Sequence, residues 1–291
     1  MIQRNNNLSV LPFYTNVDEQ NHRKPYAYGE IYPLYSPLGS VPPFQIVIPY
    51  SSATISSVLL HKVNDFANGT DVTDRMTGLS KVRFSGETNY EIILYPSVAP
   101  NNITTEEGQY QLSITMSDDT TYISDVFTAI ADVSGMIQVQ WYDLADLVMD
   151  GCRITYRSGF KNVLWLPTLL GKPEYEFNEE GEERDGYFFP EKMISEKKYK
   201  CTFLAPEYLC DVMRFIRMSD IVLVKDNYNN EYRCDTFLIT PKWQEQGDLA
   251  SVELEFTCDT VAKKVGRGYI YGDNGDFNDD FNNDFDINDN N

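Results

Sequence analysis

Over most of this chain apolar residues recur at alternate positions, the spacing of a strand that buries one face. That spacing commits the chain to β-structure before any other property is consulted. Residues 44–50, 55–63, 79–84, 90–95, 110–116 and 122–130 all read this way. Turn formers separate them: Asn68-Gly69, Ser85-Gly86 and Ser117-Asp118-Asp119. Short strands at this interval predict a small β-sandwich over residues 44–130. The fold class is therefore mainly β.

Residues 1–43 lack the alternation. Pro12, Pro25, Pro33, Pro37, Pro42 and Pro43 forbid a long helix and interrupt a central strand. Tyr26, Tyr28, Tyr32 and Tyr35 lie among them. Such a segment makes no core of its own, so an extended arm is expected, lying on its own chain or on a neighbour. The four tyrosines are candidate partner contacts. Inside the sandwich, Gly108-Gln109-Tyr110-Gln111-Leu112 has the Gly-x-Tyr-x-apolar form of an immunoglobulin-like corner. There the Tyr hydroxyl ties back to upstream backbone. The apolar position holds no Cys, so the sandwich is expected to be free of disulfides.

A second β region is expected over residues 131–271. Strands are predicted at 136–141, 154–156, 161–166 and 197–204. An acidic stretch, residues 174–185, carries seven acids against Arg184, a net of −6. It reads as an exposed loop or hairpin tip. One helix is predicted after Pro206. Leu209, Val212, Met213 and Ile216 fall at i, i+3, i+4 and i+7, a single apolar stripe. Two strands, 221–225 and 232–240, flank the turn Asp226-Asn227-Tyr228-Asn229-Asn230. In the last strand, 251–257, Val252, Leu254 and Phe256 face in while Glu253 and Glu255 face out. Residues 272–291 hold seven Asp, seven Asn and no cation, a low-complexity acidic tail. Phe277, Phe281 and Phe285 recur in it every four residues, and they are further candidates for docking on a neighbouring copy.

Composition removes several classes of function. Lys and Arg number 24 against 44 Asp and Glu, so the formal charge is −20. A chain this acidic repels a phosphate backbone and an anionic membrane surface, so neither tight nucleic-acid binding nor membrane insertion is expected. No 18-residue apolar stretch or secretory leader is read in the sequence. His22 and His61 are the only histidines, which leaves little for imidazole catalysis or metal binding. Cys152, Cys201, Cys210, Cys234 and Cys258 form no CxxC pair and read as buried free thiols. Asp276, Asn278 and Asp280 occupy the first, third and fifth places of a calcium loop. Phe281 stands where the sixth requires Gly, and Ile287 where the twelfth requires an acid. That is a weak match. No phosphate-binding loop or nucleophile–base pair is found. No cofactor is expected, and the chain does not read as an enzyme.

The order strand, helix, hairpin, long strand over residues 197–258 resembles the core of phage tail-tube and distal tail proteins. Lys197-Lys198-Tyr199-Lys200-Cys201-Thr202-Phe203, the helix around Leu209 and Ile216, and Ile221-Val222-Leu223-Val224-Lys225 carry the resemblance. Tyr232-Arg233-Cys234-Asp235-Thr236 and Val252-Glu253-Leu254-Glu255-Phe256 complete it. The whole chain is also similar to virion proteins from phages and prophages of gut Bacteroidetes. Asn21-His22-Arg23-Lys24-Pro25-Tyr26-Ala27-Tyr28-Gly29-Glu30 and Pro241-Lys242-Trp243-Gln244-Glu245-Gln246-Gly247 carry that likeness. The chain differs from distal tail proteins in placing a sandwich before the tube-like domain.

The resemblance implies a structural protein of the virion, made in the bacterial host cytoplasm. Six tube-like copies would form a ring by side-to-side sheet pairing, with the sandwich projecting outward, and the ring would contact other virion proteins. A tail or tail-adaptor ring would link the tail tube to the host-binding apparatus. The alternative is a module whose sandwich binds a host-surface glycan or protein.

Overall fold

The computed structural model describes residues 9–15, 34–63, 65–83, 89–96, 100–149, 152–243 and 249–264. It is mainly β, 59% strand against 7% helix, so sheets carry the core. The first half contains β1 (Phe13–Tyr14), β2 (Tyr35–Pro37), β3 (Phe44–Pro49), β4 (Ile55–Lys62) and β5 (Asp65–Asp71). It continues with β6 (Ser80–Arg83), β7 (Tyr90–Tyr95), β8 (Gly108–Met116), β9 (Thr121–Ser124) and β10 (Phe127–Ile130). The second half contains β11 (Ile137–Tyr142), β12 (Leu147–Met149), β13 (Cys152–Ile154), β14 (Asn162–Leu166), β15 (Glu174–Arg184) and β16 (Tyr187–Pro206). After these come the helix α1 (Glu207–Met213), β17 (Ile221–Lys225), β18 (Glu231–Lys242) and β19 (Leu249–Lys264).

Backbone contacts divide the chain into two compact units. The first is Met1–Glu176 with Ser195–Val261, and the second is Phe177–Ile194 with Ala262–Asn291. The first unit therefore contains the expected sandwich together with most of the expected second region, and the division does not fall between residues 130 and 131. The sheet shows why. Its strand order runs β1-β9-β8-β10-β2-β14-β11-β17-β18-β19-β16-β15, with β4 and β5 joined at β8. Strand β2 is the link. It pairs in parallel with β10, Tyr35 opposite Thr128, and in antiparallel fashion with β14, Tyr35 opposite Trp165. The Thr128 N–H donates to Leu34 O at 2.8 Å, and the Leu38 N–H donates to Ile130 O at 2.7 Å.

The described parts of the arm lie on their own chain, one of the two placements expected. Val10, Leu11, Phe13, Leu34 and Val41 are core residues, and β1 pairs with β9. Burying side chains of this size is worth about 1.5–3 kcal/mol each. That gain holds the described parts of the arm against their own chain. Tyr26, Tyr28 and Tyr32 lie outside the described residues.

A second sheet, β3-β7-β6, is apolar on both faces. Phe44, Ile46, Ile48, Ile93 and Tyr95 enter the main core beside Leu112, Ile114 and Phe127. On the opposite face Val47, Ile92 and Leu94 pack with Ile154 and Phe160, and Tyr156 and Phe215 lean against that cluster. Residues from the second half thus cover a sheet of the first. Gln45 fixes the join like a strand partner. Its Nε2 donates to Thr155 O at 2.7 Å, and its Oε1 accepts from the Thr155 N–H at 3.1 Å. A buried polar side chain is stable when both ends are satisfied in this way.

The local expectations fare unevenly. The tyrosine corner is present, with the Tyr110 hydroxyl donating to Glu106 O at 2.8 Å. The expected strand 122–130 is two strands. Asp125 breaks it by accepting the Val126 N–H on its own carboxylate and donating its N–H to Pro12 O. Asn68-Gly69 is no turn but part of β5, which pairs with β4. Gly69 is required there because a Cβ would meet Cε1 of His61 at 2.6 Å. The His61 ring is buried and its Nε2 lies 2.8 Å from Ser113 Oγ on the neighbouring strand β8. The helix is shorter than its stripe. Pro206 is its extended N-cap, α1 ends at Met213, and Ile216–Met218 forms a 3₁₀ turn.

Leu209, Val212, Met213 and Ile216 are nonetheless all buried, Met213 completely. Met213→Asp would place an unpaired carboxylate in that core. A loss of about 3–5 kcal/mol is expected, seen in a thermal melt as a drop of about 10 °C or more. A melting point within a degree or two of the parent would show that the stripe is not core.

Candidate assembly surface

The acidic stretch is a strand, the hairpin alternative rather than the loop. Asp185 and Gly186 have φ of 53° and 81°, the two left-handed positions of a tight hairpin turn. That turn sets β15 against β16. Among the described residues β15 ends the strand order of the main sheet.

In the second unit, Phe177–Ile194, large rings are left in solvent. Phe177 is 74% exposed, Tyr187 72% and Phe188 48%. Tyr187 and Phe188 are consecutive, so both faces of the strand carry an exposed ring. Glu179, Glu180, Glu182 and Glu183 surround them in sequence, with Lys192 Nζ 3.5 Å from Glu180. Acidic composition masks these rings in the sequence. The signal was there in Tyr175 and Phe177, apolar rings at alternate positions inside a charged run.

In the first unit the solvent face of β15, β16, β19 and β18 carries a ladder of opposite charges. Lys198 Nζ lies 2.6 Å from Glu176 and 3.3 Å from Glu255. Lys200 Nζ lies 2.7 Å from Glu174, and Lys242 Nζ lies 2.7 Å from Glu253. Hydrogen bonds from Lys200 and Lys242 hold the Glu174 and Glu253 carboxyls below their ordinary range. Hydrogen bonds to Glu176 and Glu174 raise the Lys198 and Lys200 ammonium groups. The inward face is apolar, with Tyr199 stacked on Phe256 at 5.3 Å between ring centres.

The other candidates offer less chemistry. Tyr35 is a half-buried strand residue, not a free arm contact. Phe277, Phe281 and Phe285 lie outside the described residues, as do Asp276, Asn278 and Asp280. A shallow cleft of about 450 Å³ opens between Tyr50, Ser51 and Arg83. Its ammonium group, Lys81, already donates to Ser51 O at 2.7 Å and Ala53 O at 2.6 Å, and it pairs with Glu91 at 2.7 Å. Three partners saturate a lysine. Burial pushes the Cys201, Cys210 and Cys258 thiols up to about 11, which leaves little reactive thiolate at neutral pH.

Among the described residues no three or more His, Cys, Asp or Glu are placed to hold a metal ion. No helix among them is long and apolar enough to cross a membrane. Comparison with family models, curated proteins and solved structures finds no match for the chain.

The ladder makes stability pH-dependent in a defined direction. The lowered carboxyls contribute stability above their ordinary value of 4.5 and lose it as pH falls through their folded values. The raised lysines contribute below 10.5 and lose it as pH rises past their folded values. A Lys198→Gln, Lys200→Gln double variant should melt slightly below the parent at neutral pH. At pH 3 the two should converge. A deficit that persists undiminished at pH 3 would assign the lysines a packing role instead.

Proposed function

We propose that the chain is a structural subunit of a phage particle, a ring-forming tail or tail-adaptor protein that joins the tail tube to the host-binding apparatus. One observation carries this reading: the hairpin of β15 and β16 bears exposed rings, and among the described residues β15 is a terminal strand in its sheet. An edge strand offers unpaired backbone donors and acceptors to another chain, and charge on it restricts which chains can pair. A contact between one edge and a different surface of the next copy is head-to-tail, the kind that closes into rings. Each ring buried at such a contact gains about 1.5–3 kcal/mol, so Phe177, Tyr187 and Phe188 together suit a subunit interface. The acidity of the chain fits a particle component past which DNA slides without adhering. The resemblance of residues 197–258 to tail-tube and distal tail proteins supports the same reading.

The test is to image and weigh the purified full chain across micromolar concentrations. Closed rings of uniform size are expected. Phe177→Asp with Tyr187→Asp should weaken assembly by at least about tenfold while leaving the melting point of the monomer nearly unchanged. A parent chain that stays monomeric throughout, or a double variant that assembles as the parent does, contradicts the proposal.

A further inference from the structure

We propose that Cys234 and Cys258 form a site of reversible disulfide closure between β18 and β19, independent of the assembly reading. The two residues stand directly opposite one another on adjacent antiparallel strands. Facing Cα atoms in such a pair lie about 4.5–5.5 Å apart, within the span of about 4.4–6.8 Å that a disulfide bridges. Both side chains join the main core, Cys258 as a buried member and Cys234 packed against it, so they share a face of the sheet. Both are free thiols, and Cys234 is only partly buried. Reagents therefore reach Cys234 first. Burial raises the Cys234 thiol, and the nearby Cys258 raises it further, a mark of their closeness.

The surroundings favour closure. The ladder changes register between Cys234 and Thr236, a bulge that loosens the backbone beside the pair. Asp235, the extra residue, accepts the Thr260 N–H at 3.1 Å in place of a regular ladder bond. Lys197 acts on the buried partner. Its cation lowers the Cys258 thiol against the effects of burial and of Asp259, which lies 3.8 Å from the sulfur. Of the strand registers described, only this one sets a cysteine opposite a cysteine.

The step balances with a small-molecule disulfide as oxidant. The Cys234 thiolate attacks one sulfur of the reagent, forming a mixed disulfide and expelling one thiolate. Cys258 then loses its proton and attacks the Cys234 sulfur, expelling the second thiolate. Two protein thiols are oxidised, the reagent disulfide is reduced to two thiols, and those thiols take up the two protons. Because both protein thiols sit above their ordinary range, closure is slow at neutral pH and faster at pH 8 to 9.

The test incubates the full chain with oxidised glutathione at pH 8, traps residual thiols by alkylation, and maps peptides by mass. The expected product has lost two hydrogens and carries no glutathione, and the Cys234 and Cys258 peptides are joined. It melts several degrees above the reduced chain, and dithiothreitol reverses both changes. Cys234→Ser and Cys234→Ala should each abolish the joined peptide, while Cys210→Ser should retain it. The proposal is overturned if glutathione remains on Cys234 without closure, if neither cysteine reacts, or if other cysteines are joined instead.

Discussion

The three-stranded sheet β3-β7-β6 cannot exist half-covered, and the rest of the first unit follows from that constraint. Strands β3 and β7 place Ile46 and Ile93 on one face and Val47, Ile92 and Leu94 on the other, all nearly inaccessible. Two apolar faces need two covers. The large sheet supplies one through Leu112, Ile114 and Phe127, and residues 154–160 with Phe215 supply the other. Leaving the second face in water would forgo about 1.5–3 kcal/mol for each large side chain, a substantial part of a typical domain's stability. The chain therefore cannot separate into a free sandwich and a free tube-like domain. Strand β2 reinforces the union by joining β10 to β14 in one hydrogen-bonded sheet.

With the core closed, the chemistry that remains sits on edges and outer faces. The solvent face of the C-terminal strands pairs Lys198, Lys200 and Lys242 with glutamates, so charge covers much of a broad sheet surface that also exposes Leu204 and Leu238. The hairpin departs from that pattern, since its rings are exposed and its charge is almost wholly acidic. A surface that is apolar yet guarded by like charge selects its partners, because approach by an equally acidic edge is disfavoured. The thiol pair on β18 and β19 lies inward of the ladder, on the opposite face of the same strands.

Much of this fold was legible in the sequence, and the exceptions share a cause. Tyr110, the Asp226 turn, the helix stripe and the inward set Val252, Leu254 and Phe256 are all determined by neighbours within a few positions, so local pattern finds them. Asp226 shows how complete such local logic is, accepting the Tyr228 and Asn230 N–H groups on one carboxylate. Where the arm lies was not legible because its strands are only two and three residues long, and their burial depends on partners far away in sequence. Gly69 looked like a turn because the reason for it, the His61 ring, lies on the facing strand. The packing across residue 130 had a visible sign: Ile46-Val47-Ile48 and Ile92-Ile93-Leu94 are unbroken apolar runs, the mark of strands buried on both faces. The candidate site was least legible, since exposure of Phe177 and Tyr187 is a property of what fails to cover them.

The claim that residues on both sides of position 130 form one cooperative structure is tested most directly by differential scanning calorimetry of the full chain. A single unfolding endotherm is predicted, with its calorimetric and van't Hoff enthalpies in agreement. Two resolved endotherms, one of them reproduced by residues 9–130 expressed alone, would contradict it.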